Sequence, residues 1–209
     1  KIYEPLIRKT AGFGVASIEK DRERYEHKYE YCDLLVTGSG PAGLSSAYAA
    51  AKNGAKVILA EDKPRFGGSL LTDEVTIDNL SGKAWTDKII TELKEMPNVI
   101  VKNRSQVFGY YDHNMTVMFE RTGDHLKDKP KYTPRQRLWY IRAKEVLLST
   151  GSIERPIIFG NNDTPGIFLS AAAKEYIKVY GVLVGKKPLI FTNNDSGYET
   201  ALEFKKHGI

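Results

Sequence analysis

The sequence predicts an α/β fold built on a parallel sheet, and three stretches carry this prediction. "CDLLVTG" at 32–38 is a short apolar run of the kind that forms a central parallel strand. A glycine-rich turn and the alanine-rich, helical "PAGLSSAYAAAKNG" follow it, and "AKVILAE" at 55–61 is a second apolar strand. Strand, crossover helix and strand within about 30 residues form a right-handed βαβ unit.

The remaining elements extend this unit. A helix is predicted from Trp85 to Met96, closed by Pro97, and "NVIVKN" supplies a third strand. Between about 105 and 142 aromatic and polar residues alternate, which predicts an antiparallel β-meander inserted in the parallel sheet. "KEVLLSTGS" at 144–152 then returns to a buried strand.

Three segments are predicted along the chain: a solvated lead-in at 1–30, a dinucleotide-binding domain at 31–153 that contains the meander, and a crossover at 154–209. In the last segment Ser170 is predicted to cap a helix, and residues 188–192 are predicted to form a strand followed by a final helix. A lone strand–helix unit cannot bury its apolar surface. We therefore expect it to be the truncated start of a second nucleotide-binding-like domain, and the sequence to be a fragment.

Composition and charge exclude several classes of protein. Lys and Arg number 31 and Asp and Glu 26, which gives a net charge of +5 with no basic stripe for nucleic acid. Cys32 is the only cysteine and the four histidines lack ligand spacing, so we expect no disulfide and no metal site. No apolar stretch reaches the roughly 18 residues of a membrane span. A cytoplasmic protein without membrane or nucleic-acid partners is expected.

The stretch "GSGPAG" matches the dinucleotide-binding pattern GxGxxG between the first strand and its helix. Gly38 permits the tight turn, Gly40 lets the backbone approach a pyrophosphate, and Gly43 allows helix and strand to pack closely. Pro41 suits a first helical turn, where its missing N–H is no loss. Pro41 and Ala42 therefore open a helix whose N-terminus is expected to receive a diphosphate.

An acidic residue at the end of the second strand completes this pattern. Glu61 lies 18 residues after Gly43, where its carboxylate is expected to accept hydrogen bonds from an adenosine ribose. Because that carboxylate would repel a 2′-phosphate, the pattern favours NAD or FAD over NADP. Asp62 and Lys63 are further candidates at the adenosine end, with plain solvation as the alternative.

Two more glycine sites are typical of flavoproteins with two dinucleotide folds and of their relatives. Gly67-Gly68 is expected to keep a loop close to the cofactor, and Ser69 to donate to a phosphate or ribose. "VLLSTGSIERP" at 146–156 places Thr150 and Gly151 where the chain leaves the nucleotide domain. For both stretches a simple turn is the alternative.

The last strand–helix unit departs from the pattern where a second GxGxxG is expected. "TNNDSGYET" retains only Gly197 of the glycines that would admit a second pyrophosphate. We interpret it as a degenerate second site, so that one dinucleotide binds rather than two, although a chance loop fits equally. No CxxC pair and no nucleophile–base set is recognisable, and no catalytic residue is predicted.

Seven stretches together resemble the α subunits of bacterial heterotetrameric sarcosine oxidases over essentially the whole chain. They are "YEPLIRKTAGFG", "VTGSGPAGL", "FGGSLL", "VFGYYDHN", "PRQRLW", "RAKEVLLSTGSIERP" and "FTNNDSGY". The glycine motifs are shared with many flavoproteins, whereas "YEPLIRKTAG", "VFGYYDHN" and "TNNDS" are much more specific to this family. The resemblance implies a Rossmann-like FAD/NAD(P)-binding fold.

The resemblance also implies a ligand and a reaction. NAD is the implied cofactor of this region, without an obvious part in turnover, held by the glycine-motif residues and by Glu61, Asp62 and Lys63. Ser69 and Val107 are implied to lie alongside it. The implied complex oxidises sarcosine to glycine, forms hydrogen peroxide and passes the one-carbon unit to tetrahydrofolate. FAD and FMN are implied to lie with a β subunit, and γ and δ subunits complete the assembly.

Two other functions stay open on the residues alone. The glycine turn and the acid serve the ADP half that NAD and FAD share. An FAD-binding oxidoreductase domain, like the opine and proline dehydrogenase relatives of this family, therefore fits the same fingerprint. A non-catalytic scaffold with an empty nucleotide fold is the third reading.

Overall fold

The computed structural model describes residues 3–12, 14 and 18–209. Six strands form one sheet: β1 (Tyr25–Thr37), β2 (Val57–Ala60), β5 (Val99–Lys102), β6 (Ser105–Tyr111), β7 (Met115–Glu120) and β8 (Gln136–Leu148). A separate hairpin joins β3 (Thr76–Ile77) to β4 (Leu80–Ser81). The helices are α1 (Glu4–Thr10), α2 (Pro41–Lys52), α3 (Gly82–Glu95), α4 (Ser170–Tyr180) and α5 (Ser196–Lys206).

The strand order of the large sheet is β5-β2-β1-β8-β7-β6. The first four strands are parallel neighbours, and β7 and β6 continue the sheet beyond β8 as an antiparallel meander. The predicted α/β fold with a parallel sheet and an antiparallel meander is therefore confirmed. The predicted helix at 85–96 begins earlier, at Gly82, because the Ser81 hydroxyl accepts a hydrogen bond from the Ala84 N–H and caps the first turn.

Two predicted boundaries are wrong, and both concern the pairing of β1 with β8. This parallel ladder runs from Tyr25 opposite Gln136 to Thr37 opposite Leu148. The first strand thus begins at Tyr25, not Cys32, so 25–30 are not a solvated lead-in. The last meander strand and the strand at "KEVLLSTGS" are one continuous β8. Residues 1, 2, 13 and 15–17 of the predicted lead-in lie outside the described residues.

The amino-terminal half of β1 has no apolar pattern in the sequence, because the residues on its inward face are charged. Glu26, Lys28 and Glu30 are each less exposed than the tyrosines with which they alternate. The Arg137 guanidinium donates to the Glu26 carboxylate at 2.9 Å. The Lys56 ammonium donates to Glu30 at 2.8 Å. These paired charges replace the apolar residues that a buried strand face ordinarily has.

Each face of the parallel half is covered differently. α2 and α3 cover one face, where Leu44 and Trp85 pack with Val36 and Leu59 of the strands. On the other face one apolar cluster contains side chains of both halves of the sheet: Ile58, Ala60 and Ile100 with Val107, Met118 and Trp139. The meander therefore curls over this second face and closes the core around β1 and β2.

The helices α4 and α5 form a small unit of their own. Ala173, Ile177 and Phe204 bury against one another, apart from the two larger clusters. The predicted strand at 188–192 is not formed among the described residues, where Leu189 is 94% exposed. A parallel strand needs a neighbour to receive its backbone hydrogen bonds, and no described residue pairs with this segment.

Ion pairs join α4 and α5 to the loop that follows β2. Lys174 contacts Asp73 at 2.8 Å, and Lys178 contacts Glu74 at 3.1 Å. Lys206 of α5 also contacts Glu74. The hydrogen bonds from Lys206 and Lys178 lower the pKa of Glu74 to about 2. Charge rather than apolar packing therefore holds these helices against the loop.

Salt is expected to loosen this contact selectively. At 1 M salt the Debye length falls to about 3 Å, so pairs that are partly exposed lose most of their attraction. Hydrogen exchange of the full-length protein, measured by mass spectrometry in ~0.05 M and ~1 M NaCl, should speed up in α4 and α5. α2 and α3, which are held by apolar packing, are the internal control. Equal exchange at both salt concentrations in α4 and α5 would contradict the role given to these ion pairs.

Candidate dinucleotide site

The glycine turn after β1 shows why each outer glycine is required. Gly38 has a φ of +97°, and a Cβ there would lie 2.9 Å from the Ser149 carbonyl carbon. A Cβ on Gly43 would press on the Gly38 carbonyl group and lie 2.6 Å from the Ser149 hydroxyl. The single O–H of Ser149 is shared between the carbonyls of Thr37 and Gly38, whose oxygens lie 2.9 and 3.0 Å from the hydroxyl. Gly38 and Gly43 thus leave room for β1, α2 and the Ser149 hydroxyl after β8 to meet at this turn.

Gly40 differs from these two glycines because the space beside it is open. It has no heavy atom within 4 Å of an added Cβ, and its φ of −67° suits any residue. It precedes α2, which begins with Pro41 and has no side-chain cap. Pro41 and Ala42 are both exposed. The first-turn N–H groups of α2 therefore face an open cradle, the arrangement that receives a diphosphate.

Glu61 follows β2 directly and is almost fully buried, with 6% of its surface exposed. One carboxylate oxygen, Oε2, accepts from the Ser39 N–H at 2.9 Å and from the Ser39 hydroxyl at 2.5 Å. The other, Oε1, accepts from the Lys63 N–H at 3.0 Å. The backbone of Glu61 is fixed on both sides, by Lys102 and Ser105. The carboxylate is thus held at the end of β2, beside the glycine turn.

Burial raises the pKa of Glu61 above its ordinary value, and the neighbouring Asp62 carboxyl raises it further. The hydrogen bonds from Ser39 and from the Lys63 N–H act in the opposite direction. Both oxygens of such a carboxyl act as acceptors only when it is ionised. Binding of a ribose there should therefore weaken as the pH falls through the raised pKa.

The loop at Gly67-Gly68 touches the glycine turn. The Gly67 N–H donates to the Ser39 carbonyl at 3.1 Å and to the Ser39 hydroxyl at 3.2 Å. A Cβ on Gly68 would lie 3.0 Å from the Gly40 Cα. Gly67 and Gly68 both have positive φ, at +119° and +53°. Ser69 is exposed in the 3₁₀ turn that follows.

The structure gives Asp62 and Lys63 different surroundings. Both are exposed. The Lys63 ammonium is engaged by Glu175 of α4 at 2.8 Å. The Asp62 carbonyl accepts from the Arg121 guanidinium at 2.8 Å. Lys63 thus already has an acidic partner, which makes it a link to α4 as well as a candidate cofactor contact.

The remaining predicted residues lie at the edges of the site. Thr150 and Gly151 are exposed directly after β8, and Gly151 has a φ of +73°. Val107 pairs with Met118 on the meander and packs into the second apolar cluster. The structure therefore brings the glycine turn, Glu61 and the Gly67-Gly68 loop together, whereas it gives Val107 an evident packing role.

The turn before α5 is filled by its own side chains. The Asn194 side-chain oxygen accepts from the Ser196 N–H at 3.0 Å and from the Ser196 hydroxyl at 2.6 Å. A Cβ on Gly197 would lie 2.6 Å from the Thr192 side chain. Asp195 at the N-cap adds a negative charge. This turn presents no cradle like that beside Gly40.

Two residues that sequence reasoning missed organise the surroundings of the site. Ser39 is completely buried and joins the glycine turn to Glu61 and Gly67. Glu154 caps α4, since its carboxylate accepts from the Ala171 N–H at 2.8 Å. Ser170, the predicted cap, instead lies inside the helix with its hydroxyl 2.6 Å from that of Thr200. A serine inside GxGxxG and an acid after "TGSI" carry no distinctive sequence signal.

Two absences among the described residues complete this description. No helix in the described part of the chain is long and apolar enough to cross a bilayer. Within the same residues, no group of three or more histidine, cysteine, aspartate or glutamate side chains is placed to hold a metal ion.

Known proteins resemble this chain along its whole length. It is 44% identical over 209 residues to the sarcosine oxidase subunit alpha of Rhizobium meliloti (strain 1021), covering 100% of this chain and 21% of the relative. It is 39% identical over 200 residues to the same subunit of Corynebacterium sp. (strain P-1), covering 94% of this chain and 21% of that relative. The predicted resemblance is confirmed. The chain spans about a fifth of the length of these relatives.

Two further comparisons concern the fold. A family model described as FAD dependent oxidoreductase matches residues 33–122, which include the glycine turn and Glu61. The crystal structure of L-proline dehydrogenase from P. horikoshii matches with a TM-score of 0.70 and 24% identity, over 92% of this chain and 36% of that chain. This likeness confirms the predicted Rossmann-like fold.

Alanine at Gly43 should lower the stability of the protein, whereas alanine at Gly40 should weaken dinucleotide binding. Gly43→Ala forces a Cβ against backbone and Ser149, so we expect a loss of at least ~2 kcal/mol in the free energy of unfolding. Gly40→Ala meets no protein atom, so stability should change by less than about 1 kcal/mol, while dinucleotide binding is strongly weakened. Thermal unfolding and nucleotide titration of the full-length variants measure both. Normal nucleotide binding by Gly40→Ala would contradict the proposal that the diphosphate lies beside Gly40.

Proposed function

We propose that this region binds the ADP half of a dinucleotide. The observation that carries the proposal is the open, uncapped N-terminus of α2 beside Gly40, with the Glu61 carboxylate held next to it. An anionic diphosphate is stabilised by the N–H groups and the partial positive charge of the helix. Glu61 then accepts a hydrogen bond from a ribose hydroxyl and disfavours a 2′-phosphate.

NAD is the ligand that we propose first, and the support for it is the resemblance to sarcosine oxidase α subunits. FAD is the second candidate, because the FAD dependent oxidoreductase family match spans the glycine turn and Glu61. The ADP halves of the two cofactors are identical, so the residues of this site serve either one. The nicotinamide or flavin end supplies whatever redox chemistry occurs, and we assign no catalytic residue to this chain.

Each residue near the ligand then has a distinct task. Gly40 and Ala42 give the diphosphate access to backbone N–H groups, while Gly38 and Gly43 keep the turn tight. Gly68 and Ser69 border the same cradle from the neighbouring loop. Asp62 and Lys63 flank the ribose, and Thr150 and Gly151 lie where β8 ends at the same edge of the sheet. Val107 supports the meander behind this edge.

For the whole protein we propose an oxidoreductase of the sarcosine oxidase type. Sarcosine is oxidised to glycine, hydrogen peroxide is formed from oxygen, and the one-carbon unit passes to tetrahydrofolate. The name "subunit alpha" of the relatives supports assembly with other subunits, which we propose to be β, γ and δ in a cytoplasmic heterotetramer. FAD and FMN are proposed to lie with the β subunit. We propose that this part of the chain divides between 153 and 154, with the first unit beginning at β1 rather than at 31.

The identity of the nucleotide is best measured on the full-length protein in its complex. We expect denaturation to release NAD in an amount equal to the α subunit, identified by chromatography. FAD in the same amount in a separately purified α subunit would favour the second candidate. If that subunit releases no dinucleotide, the remaining hypothesis is a non-catalytic scaffold with an empty nucleotide fold.

The Glu61 contact is tested by Glu61→Ala in the full-length protein. Loss of a charge-assisted hydrogen bond costs on the order of 1.5–3 kcal/mol, so dinucleotide affinity should fall about 10- to 150-fold. Calorimetric titration measures the affinity, and thermal unfolding verifies that the variant is folded. Glu95→Ala, at an exposed position of α3, is the matched control and should bind normally. An unchanged affinity in Glu61→Ala would show that Glu61 does not bind the ribose.

A further inference from the structure

We propose that Ser39 is a positioning residue of the dinucleotide site, which sets both the Glu61 carboxylate and the Gly67-Gly68 loop through one hydroxyl group. This inference rests on the proposed function, since its purpose is to hold the ribose acceptor and the loop that borders the diphosphate. Ser39 lies between the first two glycines of the motif, a position that the glycine pattern itself leaves unspecified.

The hydroxyl of Ser39 uses its donor and one acceptor position at once. It donates to Glu61 Oε2 at 2.5 Å and accepts from the Gly67 N–H at 3.2 Å. The backbone of Ser39 repeats both connections, since its N–H donates to the same carboxylate oxygen at 2.9 Å and its carbonyl accepts from Gly67. A hydrogen-bonded relay therefore runs from the Gly67 backbone through Ser39 to the carboxylate.

This relay occupies one oxygen of the carboxylate and leaves an acceptor position on the other. Oε2 accepts both donors of Ser39, whereas Oε1 accepts from the Lys63 N–H. A carboxylate oxygen has two lone-pair sites, so Oε1 retains one for a ribose hydroxyl. By fixing Oε2, Ser39 sets which way the second oxygen points.

Packing does not require a hydroxyl group at position 39. Ser39 is fully buried, and an alanine of nearly the same volume fits the same space. What alanine removes is a donor to a buried carboxylate and an acceptor for Gly67. A buried carboxylate that loses a donor becomes harder to ionise.

Several charged groups surround this carboxylate, and the effect of Ser39 has to be separated from theirs. Arg121, which follows β7, contacts the Asp62 carbonyl, while Glu175 of α4 pairs with Lys63. The Lys102 ammonium on β5 is turned toward Glu120. The groups on the elements packed around the carboxylate are Asp62, Lys63, Lys102, Arg104, Arg121 and Glu175. None of them changes in a Ser39→Ala variant, so a shift measured in that variant belongs to the hydroxyl.

The experiment is a pH series of ADP-ribose binding to nucleotide-free, full-length protein. ADP-ribose carries the diphosphate and adenosine ribose of the proposed ligands, and its diphosphate does not titrate between pH 5 and 8. We expect wild-type affinity to fall as the pH is lowered through the pKa of Glu61. In Ser39→Ala the midpoint of that fall should move upward by about one pH unit. Ser45→Ala, an exposed serine on α2, should reproduce the wild-type midpoint.

The outcomes distinguish the two proposals. An upward shift confined to Ser39→Ala supports the positioning role, whereas uniform weakening with an unmoved midpoint overturns it and indicates a purely structural serine. If the wild-type protein binds no ADP-ribose at any pH, the proposed function fails instead. Hydrogen exchange at Gly67 in nucleotide-free protein then decides the positioning role: faster exchange in Ser39→Ala than in Ser45→Ala upholds it, and equal exchange overturns it.

Discussion

The parallel ladder between β1 and β8 is the constraint on which the rest of this structure depends. The carboxyl half of β1 lies between β2 and β8 and ends at the glycine turn. Its amino half pairs only with the part of β8 that also carries the meander, because β2 is too short to reach it. One continuous pair of strands thus fixes the meander relative to the parallel sheet. Ser149, the first residue after β8, closes on Thr37 and Gly38 and so sets the turn that borders the candidate site.

At that edge a single buried carboxylate has a structural task and a proposed binding task. Glu61 satisfies two donors of Ser39, which holds the glycine turn against the end of β2. The same group is the proposed ribose acceptor. A buried carboxyl is costly unless donors compensate for lost water, which explains why the backbone N–H of Lys63 and the hydroxyl of Ser39 both converge on it. The candidate site is therefore held in place by the protein's own contacts, and Ser39 also contacts the loop at Gly67.

The sequence allowed the parallel core, the meander and the glycine turn to be predicted, because each has a strong local signature. "CDLLVTG" and "AKVILAE" are apolar runs, and GxGxxG follows from steric demands at Gly38 and Gly43. The amino half of β1 was not predictable from hydrophobicity, since its inward residues are charged and form ion pairs in the fold, among them those with Arg137 and Lys56. A period-two alternation of tyrosine with charge in "YEHKYEY" was the available signal. The roles of Ser39 and Glu154 depend on contacts between distant segments, which no local pattern encodes.

The two helix N-termini that follow Thr-Gly and Thr-Asn turns show how similar local folds diverge in chemistry. Before α2 the turn consists of residues that leave the backbone uncovered, and the space beside Gly40 is open. Before α5 the same kind of position is filled by Asn194 and Thr192, whose side chains take up the hydrogen-bonding groups that an anion would use. Asp195 places a carboxylate at the positive end of the helix, which further opposes a diphosphate. A helix that has already satisfied its first turn gains little from an anion, so of these two turns the open one before α2 is the candidate for a diphosphate.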